Sequence, residues 1–346
     1  MIDLRSDTVT KPTAGMRAAM AAAEVGDEQF REDPTTNAVQ ERMAEILGQE
    51  AALLLPTATM ANQIALRLLT HPGGLLIAEQ RTHVIVFEFG GPAVHAGLMT
   101  QPLVAEAGRP SIDQIRAAAE GSEARRDASV LVLENTHRSS GGRVWPVDEL
   151  AATADAARDL GLAVHLDGAR LFNASVAAGV APSAWSALAD TVTVCFSKGL
   201  GCPLGAVIAG RRELIDRAWE EKFRFGGALR QSGVLAAAML YALDHHVDRL
   251  AEDHARAKRL AEGLAAAGLP VDVDAVETNF VAFDLASLGL SYDDAEARAE
   301  REGVQLGFLR PGVMRAVTHL DVSDDDIDRA IERIPVALGV GSGVGV

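Results

Sequence analysis

The sequence contains little cysteine and fewer basic than acidic residues, and both shortages exclude classes of protein. Its two cysteines, Cys195 and Cys202, are too few for a disulfide framework and have no neighbouring zinc ligands, which indicates a reducing compartment. Lysine and arginine together number 32, aspartate and glutamate 48, and the formal net charge is -16. Because nucleic acids and anionic membranes attract basic surfaces, this charge argues against either as a partner.

Long apolar runs are also missing. No segment reaches the length of a membrane-spanning helix, and the N-terminal residues MIDLRSDTVTKP are charged from the third position, unlike a secretory signal. We therefore expect a soluble, cytoplasmic protein. No G-x-G-x-x-G turn follows the first strand, which disfavours a dinucleotide-binding dehydrogenase. The length of 346 residues, 48% of them hydrophobic, suits a large domain plus a smaller one.

Short apolar runs alternate with helical patterns along most of the chain. The runs that predict strands are AALLL, LLIAE, SVLVLEN, LAVHLD and TVTVCF. The segments between them, such as VDELAATADAARDLG, have helical period, and a helix is predicted from Thr59. Strands alternating with helices predict an α/β fold with a mostly parallel central sheet flanked by helices. In such sheets, ligands bind at the carboxyl ends of the strands.

The pattern changes near Asp248, where a long, charged, amphipathic helix begins. Fewer strands follow it, and they alternate with helices, which predicts a smaller C-terminal α+β domain. We place an N-terminal arm at residues 1–12, a large domain at 13–247 and a small domain at 248–338. The glycine-rich residues 339–346 are expected to be disordered.

One lysine, Lys198, lies between two apolar runs that predict buried strands. The small residues beside it, Ser197, Gly199 and Gly201, would let other groups approach closely. A lysine at a strand end is usually a solvated surface charge. At the carboxyl end of a buried strand, however, a partly desolvated amine can attack a carbonyl carbon, and the aldehyde of pyridoxal 5'-phosphate (PLP) is the obvious candidate.

A PLP site makes three further demands, and the sequence meets each one. The pyridine nitrogen needs a carboxylate, and Asp167 ends an apolar strand shortly before Lys198. The phosphate needs a helix N-terminus, which Thr57, Ala58 and Thr59 (57–59) provide; a helix cap is the plainer interpretation of these residues. The open ring face needs a stacking group, and His83 follows the strand LLIAE. Each feature is common alone, but their order along the chain is consistent.

Seven motifs together closely resemble those of the low-specificity L-threonine aldolases, which are PLP enzymes of fold type I in the aspartate-aminotransferase superfamily. The resemblance runs from Met1 to about Ser323. The motifs are DLRSDTVTKPT, REDPTTNAVQE, LENTH, HLDGARLFNA, CFSKGLG, RQSGVLAAAMLYAL and VTHLDVS.

The resemblance implies a role for each residue that matches a family motif. Lys198 would form the Schiff base with PLP, with Ser197 beside it. Asp167 would pair with the pyridine nitrogen, and Arg170 would contact both the cofactor and the substrate carboxylate. His83 would stack on the ring and is a candidate base.

Further implied roles concern the substrate and the neighbouring subunit. His137 would lie near the substrate hydroxyl as a catalytic residue, and the base would be His83 or a water held by His83 and His137. Ser6 and Arg315 would hold the α-carboxylate. Arg230 would reach the phosphate of a neighbouring subunit. The family forms homotetramers, as dimers of dimers with shared sites, and the same assembly is expected here. Whether a structural cation is bound stays open.

The sequence departs from the family pattern in three places. Phe30-Arg31 replaces the usual Tyr-Gly, so a substrate-side hydroxyl is missing at Phe30. Ala58 replaces a glycine of the phosphate loop. The segment around Glu220 to Arg224 and the following 226–229 are rearranged. The first and last changes could alter which substrate side chain is accepted.

The implied reaction is cleavage of L-threonine, L-allo-threonine and related L-β-hydroxy-α-amino acids to glycine and an aldehyde. Two alternatives keep the cofactor: a β-eliminating lyase, and an aldolase that prefers bulkier substrates such as phenylserine. A third alternative is a binding protein on the same fold without catalysis, which predicts loss of Lys198 or Asp167. Both residues are present.

Overall fold

A computed structural model describes residues 1–120 and 129–340. The last six residues of the expected disordered tail, 341–346, lie outside this description. Gly339 and Val340 complete the end of the last helix, since Gly339 adopts φ 76° and the Val340 amide donates to the Pro335 carbonyl at 2.9 Å.

Within the described residues, the strands follow one another along the chain as β1 (Ile2–Asp3), β2 (Ala51–Leu55), β3 (Leu75–Glu79), β4 (Met99–Leu103), β5 (Ser129–Glu134), β6 (Ala163–Asp167), β7 (Thr191–Cys195), β8 (Ala206–Gly210), β9 (Phe280–Asp284), β10 (Val304–Gln305), β11 (Gly307–Arg310) and β12 (Val313–Val317).

The α-helices of the same residues are α1 (Ala14–Ala21), α2 (Pro34–Leu47), α3 (Ala58–Leu69), α4 (His83–Val86), α5 (Gly91–Ala96), α6 (Ile112–Glu120), α7 (Val147–Asp159), α8 (Leu171–Ala178), α9 (Ser183–Ser186), α10 (Arg212–Arg224), α11 (Gly233–His245), α12 (Leu250–Ala266), α13 (Tyr292–Arg301) and α14 (Asp324–Leu338).

The central sheet has the order β2-β8-β7-β6-β5-β3-β4. Its pairs are parallel except those made by β8, which runs antiparallel to both neighbours. Every residue of β3, β7 and β8 is buried, as expected for strands covered by helices on both faces. The predicted α/β class with a mostly parallel sheet is confirmed.

A second group of strands is formed by the C-terminal part of the chain. β11, β12 and β9 make an antiparallel sheet, and the N-terminal β1 pairs in parallel with β10. Ile2 and Leu4 are buried in an apolar cluster with residues of α12, α13 and α14. The N-terminal segment is therefore anchored on C-terminal elements. The domain boundaries given above stay a prediction.

Two predicted starts differ from the observed ones. Helix α3 begins at Ala58, one residue before the predicted Thr59, because the Thr57 side chain caps it by accepting the Met60 amide at 3.1 Å. The long helix near Asp248 begins at Leu250. None of the helices in the described ranges is both long and apolar enough to cross a bilayer.

Candidate active site

The carboxyl ends of neighbouring strands bring the predicted residues to one edge of the central sheet. His83 follows β3, His137 follows β5, Asp167 ends β6, and Lys198 follows β7. Because β3, β5, β6 and β7 are adjacent and parallel, these four positions lie along the same edge.

Lys198 lies in the connection between β7 and the antiparallel β8. Its carbonyl accepts hydrogen bonds from the Thr10 hydroxyl and the Gly201 amide, both at 2.8 Å, so the lysine backbone is fixed on two sides. The residue is partly buried. Ser197, beside it, has its hydroxyl 3.5 Å from the Cys195 sulfur. Cys195 and Cys202 are both free and buried.

Asp167 is a buried carboxylate that the described residues do not neutralise. Its Oδ2 accepts from Asn62 Nδ2 at 2.8 Å and its Oδ1 from the Ala169 amide at 3.1 Å, and no lysine or arginine of the described ranges pairs with it. A buried carboxylate is costly without a cationic partner. The protonated ring nitrogen of PLP would be such a partner, so this residue fits the cofactor.

His83 begins the short helix α4 and is only partly buried. Its amide donates to Glu134 Oε2 at 2.6 Å, and its Nδ1 lies 2.8 Å from Glu88 Oε1. Side-chain atoms of His83, Glu88 and Asp167 lie within 4.8 Å of one another. The structure thus brings the predicted stacking residue next to the predicted partner of the pyridine nitrogen.

Arg170 has a different partner from those expected. Its guanidinium forms a two-pronged ion pair with Asp7, with Nε–Oδ2 at 2.7 Å and Nη2–Oδ1 at 2.6 Å. Both side chains are buried. Burial alone would raise the pKa of Asp7, but the charge and hydrogen bonds of Arg170, together with the charges of Lys198 and Arg315, outweigh burial and hold this pKa well below its usual range. Lys198 also contributes to that lowering, which indicates that the lysine is near.

Arg315 is buried and incompletely paired. Its Nε donates to the Arg5 carbonyl at 3.1 Å, while its Nη1 has no hydrogen-bond partner among the described residues. Burial lowers the pKa of Arg315 to about 9, and the charges of Arg138 and Arg170 act in the same direction. Ser6 follows directly on Arg5, so the two residues expected to hold the carboxylate are close. A buried guanidinium with a free donor suits an anionic ligand.

The residues 57–59 form the N-terminus of α3, as a phosphate site requires. Thr57 and Thr59 are exposed, and the free amides of the first turn point out of the helix. The Pro56 carbonyl just before them accepts the Gly205 amide at 3.1 Å, which ties this turn to the connection that carries Lys198.

The environment of His137 does not favour the expected position near the substrate hydroxyl. The side chain is 2% exposed, with Nε2 3.2 Å from Glu79 Oε2 and Nδ1 2.9 Å from the Ser140 hydroxyl. Its ring packs so closely on Gly108 that a Cβ there would lie 2.2 Å from it. These contacts support a structural role.

Phe30 and Arg230 are not brought to the lysine within one chain. Phe30 is 72% exposed, and the exposed Arg230 pairs with Asp27 at 3.0 Å. Both lie in the region where the segment around Glu28 contacts the rearranged residues 220–224 and 226–229. There Lys222 lies 2.5 Å from Glu28, which also accepts the Leu229 amide at 3.0 Å. Their expected roles across a subunit interface stay predictions.

Four further residues contact the predicted site residues and were not predicted from the sequence. Asn62 and Glu88 contact Asp167 and His83, Asp7 pairs with Arg170, and Glu134 accepts the backbone amides of His83 and Arg138. The available signal was polar residues inside otherwise apolar stretches, such as Asn62 in the buried face of α3.

The fold is that of the fold type I PLP enzymes, and the residues at the sheet edge fit the cofactor. The sequence profile of the family described as β-eliminating lyase matches residues 3–287. A low-specificity L-threonine aldolase of Escherichia coli (strain K12) is 41% identical over 330 residues, 94% of this chain and 96% of the relative. Low-specificity L-threonine aldolase 1 of Arabidopsis thaliana is 39% identical over 335 residues, 94% of this chain and 93% of the relative.

Among solved structures, the threonine aldolase of Leishmania major matches with a TM-score of 0.83 at 18% identity, covering 98% of this chain and 100% of that one, and so shares the fold. The chain therefore belongs to the β-eliminating lyase family, and within it to the low-specificity L-threonine aldolases. The predicted family, fold class and lyase class are confirmed. Membership implies dependence on PLP.

Proposed function

We propose that the protein uses PLP to cleave L-threonine, L-allo-threonine and related L-β-hydroxy-α-amino acids to glycine and the matching aldehyde. The observation that carries the proposal is the buried carboxylate of Asp167, which has no cationic partner among the described residues and lies beside His83 at the lysine-bearing edge of the sheet. The named activities of the relatives point to the same reaction.

The cofactor would be held by residues at three strand ends and one helix start. Lys198 would bind its aldehyde covalently with Ser197 alongside, Asp167 would pair with its ring nitrogen, and His83 would cover one ring face. The turn 57–59 would bind the phosphate with backbone amides and hydroxyls. Bound in this way, PLP supplies an electron sink that stabilises negative charge on the substrate Cα.

Arg315 and Ser6 would bind the substrate carboxylate. Arg315 Nη1 has no hydrogen-bond partner among the described residues, its Nε donates to the Arg5 carbonyl, and Ser6 is the next residue along the chain. A fixed carboxylate sets the rotation about the substrate's Cα, which aligns the bond to be broken. Arg170 would act mainly through its charge, because Asp7 occupies its guanidinium.

His83 is the base that the geometry favours. Its Nδ1 faces Glu88, which leaves Nε2 free to accept the proton of the β-hydroxyl. As that proton leaves, the electron pair of the Cα–Cβ bond moves to Cα and the aldehyde departs. A proton taken up at Cα completes glycine. We assign no step to His137, because its side chain is buried against Glu79, Ser140 and Gly108.

The substrate partner is a small amino acid, and we propose that the enzyme works in the cytoplasm as a homotetramer with shared sites. The exposed Phe30 and Arg230 support the sharing, because neither reaches the lysine of its own chain. Mixing Lys198→Ala with Arg230→Ala subunits tests it. Partial recovery of activity is expected if Arg230 serves the neighbour's site, and no recovery would contradict sharing.

Product identification tests the reaction itself. The PLP-loaded protein is incubated separately with L-threonine, L-allo-threonine and L-phenylserine, with Lys198→Ala as the inactive control. Glycine and the matching aldehyde are expected, and Phe30→Tyr against the wild type shows whether Phe30 favours the bulkier substrate. Ammonia and a keto acid without glycine would replace the proposal by β-elimination.

A further inference from the structure

The amide of Asn62 bridges the two buried carboxylates of the site. Its Nδ2 donates to Asp167 Oδ2 at 2.8 Å and to Glu88 Oε1 at 2.9 Å. Its Oδ1 lies 3.1 Å from His165 Nε2, and His165 Nδ1 lies 2.8 Å from the Thr191 hydroxyl. All five side chains are buried. One continuous set of hydrogen bonds therefore runs from β7 through β6 and α3 to Glu88, which follows α4.

Chemistry fixes the direction of each hydrogen bond in this set. Both carboxylates can only accept, so the NH2 group of Asn62 must face them and its Oδ1 must accept from His165. His165 Nε2 therefore carries the hydrogen, and Nδ1 accepts from the Thr191 hydroxyl at 2.8 Å. In this tautomer the 3.2 Å contact between Nδ1 and the Thr191 carbonyl oxygen is not a hydrogen bond, because neither atom carries a hydrogen. Burial lowers the pKa of His165 to about 4, which keeps the ring neutral and its two nitrogens distinct near pH 7.

The other end of the set controls His83. Glu88 accepts from Asn62 and also from Gln63 Nε2 at 2.5 Å, and its Oε1 lies 2.8 Å from His83 Nδ1. An ionised Glu88 requires the hydrogen of neutral His83 to be on Nδ1, which leaves the Nε2 lone pair available. Asn62 therefore binds Asp167 and also orients the Glu88 carboxylate. Glu88 in turn determines which nitrogen of His83 carries the hydrogen.

We propose that Asn62 is a positioning residue that couples Asp167 to the Glu88–His83 pair, and that the His165–Thr191 pair holds its amide in the required orientation. The inference rests on the proposed function in that Asp167 is taken to face the ring nitrogen of PLP. Asn62 aims the Asp167 carboxylate and lowers the cost of keeping it ionised in a buried site. Loss of the amide should therefore weaken the hold on the cofactor.

The experiment measures cofactor binding and the pH titration of the bound cofactor's absorbance, not activity alone. Asn62→Leu is expected to weaken PLP affinity about 10- to 100-fold, the usual effect of removing a hydrogen bond to a buried charge, and to shift the absorbance titration. Thr191→Val should shift the absorbance titration in the same direction by a smaller amount. Thr191→Ser keeps the hydroxyl and should leave the titration as in the wild type. Thr193→Val is the matched control, because this buried neighbouring hydroxyl has no partner among the described residues.

Nitrogen NMR of labelled histidine tests the network in the wild-type protein, where folding of a variant is not in question. The His165 hydrogen is expected on Nε2, and a hydrogen on Nδ1 would overturn the proposal. So would an Asn62→Leu protein with normal melting, normal PLP affinity and an unchanged titration. A wild-type protein that binds PLP but forms no glycine would contradict the proposed function alone.

Discussion

Asp7 and Arg170 form a buried, two-pronged ion pair with contacts of 2.7 and 2.6 Å. The pair joins the N-terminal segment to the turn after β6, across 163 positions of sequence. It also supplies negative charge among three buried or partly buried arginines, since, in addition to burial, Arg170 lowers the pKa of Arg138 and both lower that of Arg315. Asp7 therefore stabilises a cluster of positively charged arginines, and such a cluster suits an anionic ligand.

Asp7→Asn should destabilise the protein by about 3–5 kcal/mol, the usual result of leaving one charge of a buried pair uncompensated. Asp3→Asn is the matched control, because Asp3 pairs with Arg5 at 2.6 Å near the surface, where such pairs contribute at most about 1 kcal/mol. Chemical denaturation measures both variants. If Asp7→Asn and Asp3→Asn lowered the free energy of unfolding equally, the buried pair would contribute no more than the surface pair.

Arg315→Gln should weaken substrate binding, because the buried guanidinium with its unpaired Nη1 is the proposed partner of the substrate carboxylate. We expect the dissociation constant of glycine to increase about 10- to 100-fold, the usual effect of losing a hydrogen bond to a charged group. Glycinamide lacks the carboxylate and serves as the control. The same increase for both ligands would show that Arg315 does not act on the carboxylate.

The sequence predicts those parts of the site that depend on local pattern. The apolar runs that predict strands end at or just before Lys198, Asp167 and His83. Adjacent parallel strands place their carboxyl ends at one edge of the sheet, so these residues are predicted to lie along that edge. The proposed phosphate-binding turn at 57–59 is likewise a local helix start. For such residues, strand and helix patterns are sufficient.

Residues whose role depends on packing between distant segments cannot be predicted in this way. Asn62 is one polar residue in a helix, and only the crossing of α3 over the sheet places it between Glu88 and Asp167. The burial of His137 depends on Gly108, whose φ of 76° and missing Cβ admit the ring. The motif around His137 carries no trace of that contact.

Acid should reduce stability between about pH 6.5 and 4. Burial lowers the pKa of His165 and of His254 to about 4, so in this range the unfolded chain binds protons that the folded protein does not. Each histidine then contributes a loss of about 3 kcal/mol by pH 4. Asp7, with its pKa held below the usual range, adds its loss only at lower pH.

Urea unfolding at several pH values measures this loss. His254→Gln should flatten the dependence by one proton while leaving the hydrogen bonds of Asn62 intact, and His71→Gln, on the exposed surface, should leave the dependence unchanged. A His254→Gln protein with the wild-type slope would show that His254 does not resist protonation in the folded state.

The rearranged segments form a stabilising contact that can be measured as a pair. Lys222 and Glu28 are both fully buried with 2.5 Å between Nζ and Oε1, and burial lowers the pKa of Lys222 against the opposing effect of Glu28. Lys222→Met alone should cost about 3–5 kcal/mol, because Glu28 would stay buried and charged. Lys222→Met combined with Glu28→Gln should cost less than the sum of the single changes.

The double-mutant cycle, followed by chemical denaturation, gives the coupling energy directly. The exposed pair Arg42–Asp244, at 2.6 Å, provides the comparison, and its coupling should not exceed about 1 kcal/mol. Glu28 also binds the Leu229 amide next to Arg230, so a loosened Glu28 should weaken the proposed contact of Arg230 with the neighbouring subunit. Additive effects at Lys222 and Glu28 would mean that the segments at 28–31 and 220–230 fold independently.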